Sequence, residues 1–309
     1  MLSAPFIEID GHRLRAPALR ALAERGYVHR WTNIPGLDRA LQSGCVPVYA
    51  GFDAAADSLT LNQLVQVMIL RVLQRCGHKP IVLTSGGSTR IADPSCSSDA
   101  IATNIAGLRR LLERFLVFGE GPSDAVMVDN AQWLDGLGYG DLLRVAGPHL
   151  SVNRMLGFEK LRSRLEQKQT ISFLEFNFAI LQALDFLELS RRFGCVLQIG
   201  NGAQWDNIVS GVELTQRLTR RKVFGLAASP VATASALRLN AQGPSPDACI
   251  HFWRDVGEQD LGRLLRLFTD LPLDEIERLE TLERANTGIM RDILARETAS
   301  LAAGGERRS

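Results

Sequence analysis

Short apolar runs alternate with longer stretches of helical periodicity along most of the chain. Short runs closed by glycine or proline are typical of buried strands, whereas apolar residues spaced three and four apart indicate helices. The pattern predicts strands at 45–52, 80–84, 125–129 and 195–199, and helices at 61–76, 100–118 and 172–193. This alternation predicts an α/β fold, with a mainly parallel sheet and helices on both faces. In such a sheet the ligand site lies beyond the carboxyl ends of the strands.

Length and composition are compatible with one large domain and an appended helical piece. The chain has 309 residues, of which 46% are hydrophobic, enough to bury a full core. From residue 261 onward the pattern is helical and charged, and the tail at 301–309 is predicted to be disordered. No apolar stretch reaches the roughly 18 residues of a membrane span, and the N-terminus lacks a signal-peptide pattern. We therefore expect a cytoplasmic protein.

Charge, cysteine and histidine usage limit the chemistry that the chain can carry. The formal net charge of +1 gives no bulk attraction to nucleic acid. Basic residues cluster at 217–222, where contact with a polyanion and a solvated helix end are the alternatives. The five cysteines are odd in number and form no CxxC pair, which favours reduced thiols. Because the histidines show no ligand or triad spacing, we expect no metal and no cofactor.

Several motifs occur in a consistent order along the chain: YAGFDAAADSL at 49–59, GHKPIV at 77–82, DPS at 93–95, LSVNRM at 150–155, LQALDFL at 181–187 and QIGNGAQWDNI at 198–208. Together they resemble the tyrosyl-tRNA synthetase family over nearly the whole chain. The resemblance implies a Rossmann-like class I catalytic domain over 1–240, with a helical connective segment around 133–180. It also implies a C-terminal helical segment over 241–300. We expect the chain to lack the family's further anticodon-reading RNA-binding module.

The resemblance is weakest at the positions that handle ATP. Where the family has H-I-G-H or H-L-G-H, this chain has TLNQ at 60–63, and Ser97 replaces the lysine that closes G-D-P-S-G-K. The segment 225–239, where the second family signature would fall, contains no lysine. Each lost phosphate donor typically costs orders of magnitude in rate. By this resemblance the degenerate ATP-site positions are Thr60, Asn62, Gln63, Ser97, Asn201 and Ala203.

The amino-acid pocket is better retained. In the family a tyrosine and an aspartate bind the substrate phenol, and these positions fall on Tyr49 and Asp185. A buried phenol needs a donor and an acceptor, and leaving either unpaired costs kilocalories. The implied substrate-binding positions are Tyr49, Asp53, Asp93, Asn130, Phe178, Gln182, Asp185 and Gln204, with Trp133 also matching a position around the pocket. Of these, Asp93, Gln182, Gln204 and Phe178 fall where the family surrounds the substrate ammonium, and Phe178 stands where the family has a tyrosine. Two alternatives stay open: Asp185 and Gln182 could be a retained buried polar pair, and Tyr49 an ordinary core tyrosine.

Three functional hypotheses follow, and no catalytic residue is assigned in any of them. In the first, the chain has lost ATP-dependent activation and tRNA charging and binds L-tyrosine or a related 4-hydroxyphenyl amino acid in an ATP-independent, biosynthetic role. In the second, it is an aminoacyl transferase that uses tyrosyl-tRNA, as cyclodipeptide synthases do. In the third, it is a catalytically silent partner subunit of a synthetase. The first hypothesis is the leading one, and on it tRNA is a possible but not a favoured partner; arginines clustered beside the pocket would favour tRNA.

The segment ISFLEF at 171–176 resembles the dimer segment of the family, which ends in S-F-T-E-F. An apolar cluster of this size on a surface is usually covered by a partner, and closed twofold pairing is the commonest arrangement. We therefore expect a homodimer through the region around Phe173. The alternative is that Phe173 and Phe176 pack inward as part of a helix core.

Overall fold

The computed structural model describes residues 7–231, 238–240, 253, 256–283 and 288–303. Its strands are β1 Glu8–Ile9, β2 His12–Arg13, β3 Val28–Trp31, β4 Pro47–Phe52, β5 Ser58–Thr60, β6 Lys79–Thr84, β7 Val126–Asp129, β8 Leu197–Asn201, β9 Phe224–Ala228 and β10 Arg238–Asn240. Two short antiparallel pairs, β1 with β2 and β5 with β10, lie outside the central sheet.

The central sheet has six strands in the order β3-β9-β8-β4-β6-β7. Neighbouring strands pair in parallel except β3, which lies antiparallel to β9 at one edge. The predicted α/β fold with a mainly parallel, Rossmann-like sheet is therefore confirmed. Because the strand order reverses at β4, the crevice beside the carboxyl end of this strand is the place where such folds bind ligands.

Helices cover both faces of the sheet and continue to the C-terminus. They are α1 Pro17–Glu24, α2 Ile34–Gln42, α3 Leu61–Arg75, α4 Gly86–Ala92, α5 Ser98–Leu112, α6 Ala131–Leu134, α7 Tyr139–Ala146, α8 Val152–Leu156, α9 Glu159–Glu166, α10 Phe173–Phe193, α11 Trp205–Thr219, α12 Glu258–Phe268, α13 Leu273–Glu283 and α14 Ile289–Ala303. The short helices α6 to α9 lie between β7 and α10, where the resemblance implies a connective segment. Within the described ranges, no helix is both long and apolar enough to cross a membrane.

Each predicted strand and helix is present, with shifted ends. The largest shift is at 100–118, where α5 begins at Ser98 and ends at Leu112. Ser97 begins this helix by accepting a hydrogen bond from the Ala100 amide at 3.1 Å. Beyond the helix, Phe115 and Leu116 are still buried in the main core. The apolar spacing therefore continues past the last helical residue, which is why the pattern predicted a longer helix.

The two faces of β4 pack in different hydrophobic clusters. Val48, Ala50 and Phe52 belong to the main core, which also contains the buried side chains of α1 and α3. Tyr49 belongs to a second cluster together with Phe186 of α10 and residues of α11. This alternation follows from the strand geometry, in which successive side chains point to opposite faces. Tyr49 is thereby placed on the face that α10 and α11 cover.

The C-terminal helices are attached to the sheet domain through polar contacts as well as the core. Asp270, which follows α12, accepts from both Nη atoms of Arg71 at 2.8 and 2.7 Å and from Arg75 at 3.0 Å. Arg25 donates to the Thr269 carbonyl oxygen at 2.8 Å. Helix α14 runs to Ala303, three residues into the predicted tail, while residues 241–252 and 304–309 lie outside the described part of the chain.

Candidate functional site

Polar side chains meet at the carboxyl ends of β6 and β7. Asp129, the last residue of β7, accepts from the Gly86 amide at 2.9 Å, and the next residue, Asn130, accepts from the Gly87 amide at 2.9 Å. Both glycines begin α4 directly after β6. A Cβ on Gly86 would lie 2.3 Å from a carboxylate oxygen of Asp129. The turn between β6 and α4 therefore depends on glycine for its close approach to the end of β7.

Tyr49 and Asp185 are buried between the sheet and α10. Tyr49 is 2% exposed and Asp185 5% exposed, and the Tyr49 and Phe186 ring centroids are 5.3 Å apart. The Tyr49 hydroxyl has no hydrogen-bond partner among the described residues. Burial, and after it the charge of Asp185, raises the pKa of Tyr49 well above its usual value. The phenol therefore keeps its proton and can donate a hydrogen bond.

Two neighbouring side chains hold the Asp185 carboxylate. Trp133 Nε1 donates to Oδ1 at 2.8 Å, and Asn130 Nδ2 donates to Oδ2 at 3.3 Å. Asn130 also donates to the Ser88 hydroxyl at 2.8 Å. Burial raises the pKa of Asp185 to about 7, although both hydrogen bonds lower it. Since a carboxylate has lone pairs for more than two donors, Asp185 can accept a further hydrogen bond from a ligand.

Gln198 is a buried polar residue beside Tyr49 that the sequence analysis did not assign. Its Cα is the partner of Tyr49 in the parallel pairing of β8 with β4. Side chains at paired positions share a face of the sheet, with strands about 4.8 Å apart. Gln198 is 1% exposed, and its Oε1 finds no hydrogen-bond partner in the described structure. The feature of the sequence that could have identified Gln198 is the presence of a glutamine inside the apolar run at 195–199.

The positions expected at the amino side of the substrate lie along α10 and at the end of β8. Gln182 Oε1 accepts from Asn207 Nδ2 of α11 at 2.9 Å. Gln204 Oε1 accepts from the Asn201 amide at 3.0 Å, which closes the short 3-10 turn Gly202–Gln204. Phe178 is half-buried one turn before Gln182. Gln182 thus hydrogen-bonds to the neighbouring helix, and its side chain links α10 to α11.

Asp53 and Asp93 are exposed and engaged locally. Asp53 Oδ1 accepts from the Ala55 amide at 2.9 Å and from the Thr89 hydroxyl at 3.3 Å. Asp93 Oδ1 accepts from the hydroxyl of Ser95 at 2.6 Å and from its amide at 3.0 Å. These two hydrogen bonds lower the pKa of Asp93. Both carboxylates lie on loops, Asp53 after β4 and Asp93 after α4.

The TLNQ segment forms a complete helix cap. The Thr60 hydroxyl accepts from the Gln63 amide at 3.3 Å, while Gln63 Oε1 accepts from the Thr60 amide at 2.9 Å. This reciprocal capping box satisfies amides at the start of α3 that would otherwise lack partners. Asn62 has a different contact, because its Oδ1 accepts from the Val231 amide at 2.9 Å. All three side chains therefore have partners within the protein.

The other positions at which the sequence analysis expected altered ATP-site residues lie apart from this cap. Ser97 caps α5, and Ala203 is exposed in the 3-10 turn after β8. Of the lysine-free segment at 225–239, residues 232–237 lie outside the described part of the chain. No group of three or more His, Cys, Asp or Glu residues that could hold a metal occurs among the described residues.

The mainly parallel sheet with helices on both faces matches the Rossmann-like fold of class I aminoacyl-tRNA synthetases. Residues 42–308 match the family of class I tRNA synthetases (W and Y), and the chain belongs to this family. The tyrosine–tRNA ligase of Caulobacter vibrioides is 48% identical over 306 residues, which cover 93% of this chain and 73% of the relative. That of Rhodospirillum rubrum is 49% identical over 307 residues, with 93% and 73% covered.

Solved structures agree with the fold. The C-terminally truncated mitochondrial tyrosyl-tRNA synthetase of Coccidioides posadasii superimposes with a TM-score of 0.80 at 25% identity, covering 93% of this chain and 88% of that one. The corresponding protein of Aspergillus nidulans gives a TM-score of 0.84 at 23% identity, covering 94% and 91%.

These relatives correct two expectations from the sequence. Identity of 48% to a tyrosine–tRNA ligase over 93% of the chain contradicts a paralogue without ATP-dependent activation and tRNA charging, so that hypothesis is wrong. The aminoacyl transferase and the silent partner subunit are overturned by the same finding. The expectation that tRNA is not a favoured partner is also wrong. Agreement over 93% of the chain outweighs differences at a few positions.

Proposed function

We propose that this chain works as a tyrosyl-tRNA synthetase, which activates L-tyrosine with ATP and transfers the tyrosyl group to tRNA. The observation that carries the proposal is the buried pair of Tyr49 and Asp185, within a chain 48% identical to a tyrosine–tRNA ligase. In the activation step, a carboxylate oxygen of tyrosine bonds to the α-phosphorus of ATP and pyrophosphate leaves. In the transfer step, a ribose hydroxyl of tRNA takes the tyrosyl group and AMP leaves.

In this proposal the phenol of the substrate binds between Tyr49 and Asp185. The Tyr49 hydroxyl donates to the phenol oxygen, and the phenol donates to the Asp185 carboxylate. Trp133 and Asn130 fix the orientation of that carboxylate through their hydrogen bonds. L-Phenylalanine would leave the Tyr49 hydroxyl and the Asp185 carboxylate without a ligand partner, at a cost of about 1 to 3 kcal/mol. We therefore expect L-phenylalanine to bind at least about tenfold more weakly than L-tyrosine.

The amino-acid backbone of the substrate is proposed to lie toward the rim. Amide and carboxylate oxygens suit an ammonium group, and Gln182 and Gln204 supply such oxygens beside the half-buried Phe178. Asp53 and Asp93 stand at the exposed edge, where a charged carboxylate costs little to maintain. Gln198 adds one more buried oxygen on the face that carries Tyr49.

We further infer that the chain diverges from its family at the ATP end. Thr60 and Gln63 replace the signature histidines, and the segment at 225–239 contributes no lysine. The N-terminus of a helix favours phosphate through its dipole. In this proposal the start of α3, made rigid by the capping box, supplies the positive field at the phosphates.

Exposed cations near the end of α11 lie at the amino ends of β8 and β9, at the opposite edge of the sheet from the candidate site. The second partner, tRNA, is therefore proposed from the 48% identity to a tyrosine–tRNA ligase. Basic residues there are Arg217, Arg220, Arg221 and Lys222, all of them exposed. Arg217 donates to the His149 carbonyl oxygen at 2.6 Å, and Arg221 donates to the Ser190 carbonyl oxygen. These contacts hold two guanidinium groups at the surface, where phosphate contacts would make tRNA binding salt-dependent.

Pyrophosphate exchange and tRNA aminoacylation test the proposal directly. We expect tyrosine-dependent incorporation of labelled pyrophosphate into ATP and charging of tRNA. Tyr49→Phe should weaken the preference for tyrosine over phenylalanine, whereas Tyr139→Phe, at a tyrosine that is 59% exposed, should not change it. Binding of tyrosine in calorimetry without any exchange or charging would overturn the proposed function.

We also propose a homodimer through the region around Phe173. Phe173 is 67% exposed and Leu174 37% exposed at the start of α10, and Phe176 is partly buried. Tyr139 and Leu143 on α7 are also exposed, at 59% and 51%. Exposed apolar residues on a soluble protein commonly mark a protein interface, which supports pairing of two copies about a twofold axis.

A further inference from the structure

The three residues after β9 each make a hydrogen bond with a different part of the chain. The Ser229 amide donates to the Tyr27 carbonyl oxygen at 2.8 Å, and the Pro230 carbonyl oxygen accepts from Arg263 of α12. The Val231 amide donates to Asn62 Oδ1 at 2.9 Å. Two of these contacts use groups outside the candidate site, whereas Asn62 lies in the first turn of α3.

Asn62 makes this contact without any role in capping the helix. Thr60 and Gln63 close the cap by themselves through reciprocal hydrogen bonds. The Asn62 side chain is therefore available to reach the Val231 amide, 169 positions further along the chain. Because the capping box does not involve Asn62, a substitution of Asn62 removes the long-range contact and leaves the start of the helix intact.

The surroundings of Val231 make its amide a costly group to leave unpaired. The Val231 side chain is 4% exposed and belongs to the main hydrophobic core. A backbone amide beside a buried side chain has little access to water, so leaving it without an acceptor is destabilising. A second contact lies nearby, because Arg238 of β10 pairs with Thr60 of β5. The start of α3 is thus joined to two points on the chain that follows β9.

We propose that Asn62 is a positioning residue that fixes the segment 229–231 against the first turn of α3. Its effect on catalysis rests on the proposed function, in which the start of α3 faces the phosphates of ATP. Under that proposal, loss of the Asn62 contact lets the segment after β9 move relative to the phosphate end of the site. The expected consequence is a higher KM for ATP with little change in the KM for tyrosine.

Hydrogen exchange resolved at single amides tests the contact itself, whether or not the protein catalyses any reaction. In Asn62→Ala the Val231 amide should exchange about fivefold faster or more, since a hydrogen bond of about 1 kcal/mol is lost. In Asn62→Asp, which keeps an acceptor oxygen, the amide should stay protected. The Ser229 and Gln63 amides, which have other acceptors, should exchange at the wild-type rate in both variants.

Unchanged exchange at Val231 in Asn62→Ala would overturn the proposal. Equal acceleration at Val231, Ser229 and Gln63 would also overturn it, because the substitution would then have loosened the region as a whole.

Pyrophosphate exchange provides the second readout. We expect Asn62→Ala to raise the KM for ATP several-fold, whereas Asn153→Ala, at an exposed asparagine of α8, should leave both KM values unchanged. Asn62→Asp is not used in this arm, because its charge would repel phosphate. An inactive wild type would contradict the proposed function but leave the hydrogen-exchange result decisive for the contact. An active wild type with an unaltered KM for ATP in Asn62→Ala would contradict the positioning role.

Discussion

The raised pKa of Asp185 predicts that this one carboxyl group makes the protein less stable as the pH rises toward 7. The perturbation that isolates the effect is Asp185→Asn, which keeps the size of the side chain and an acceptor oxygen for Trp133 but removes the charge. The NH2 group of the asparagine would face Asn130 Nδ2, so two donors would meet and this hydrogen bond would be lost, while Asn130 keeps its hydrogen bond to Ser88. The loss of this hydrogen bond lowers the free energy of unfolding by an amount that does not vary with pH.

The magnitude follows from the environment of the carboxyl group. Burial raises the pKa of Asp185 from 3.8 to about 7, against the lowering effect of the hydrogen bonds from Trp133 and Asn130. Between these two values the folded protein binds the proton more tightly than the unfolded chain does. Stability is therefore highest below the unfolded pKa, falls as the pH rises, and levels off above the folded pKa. The full difference is about 4 kcal/mol.

Chemical denaturation across a pH series measures this difference. The free energy of unfolding of wild type, relative to Asp185→Asn, should fall by about 3 kcal/mol between about pH 5 and pH 8. Trp133→Phe removes the closer donor to the carboxylate, so it should raise the folded pKa and move the transition to higher pH. Asp141→Asn, at an exposed carboxylate, serves as the control and should follow wild type. Parallel pH curves for wild type and Asp185→Asn would refute the reasoning.

Three further predictions concern recognition, packing and assembly. Tyr49→Phe should reduce the ratio of tyrosine to phenylalanine affinity about tenfold in calorimetry, because it removes a buried phenol donor; an unchanged ratio would show that this hydroxyl is not used. Gly225→Ala should lower the free energy of unfolding by about 1 to 3 kcal/mol, since the new Cβ would lie 2.2 Å from Ile208 Cγ2; a wild-type denaturation midpoint would contradict this. Light scattering should give about twice the 34.0 kDa chain mass for wild type and the single mass for Phe173→Asp, and a monomeric wild type would disprove the dimer.

The elements of the sheet could be predicted from the sequence because their signals are local. Apolar runs at 80–84 and 125–129 are strands in the structure, with ends shifted by one residue. The burial of Tyr49 within the electrostatic influence of Asp185 is not a local feature, since their side chains lie on a strand and a helix far apart in the sequence. The resemblance to a family pointed to that pair, whereas periodicity alone left both residues as ordinary core positions.

Contacts between distant side chains are the part that the sequence could not provide. The hydrogen bond from Trp133 to Asp185 and the one from Val231 to Asn62 each depend on how separate helices and loops meet. For Asp93 the sequence suggested a role in ligand binding, whereas the hydrogen bonds in the structure are local. Its expected role at the substrate ammonium came from motif position alone, and its observed hydrogen bonds are with Ser95, two residues away.

Thr60 and Gln63 show why a replaced signature is weak evidence about the function of a whole chain. A threonine followed three residues later by glutamine is itself a capping-box pattern, and the structure contains both of its hydrogen bonds. These two side chains therefore hold the first turn of α3 in place through hydrogen bonds of their own. A comparison of single letters registers the difference from the signature but not this structural role. Agreement over 93% of the chain with a tyrosine–tRNA ligase is therefore stronger evidence about function than the identity of a few residues at one helix end.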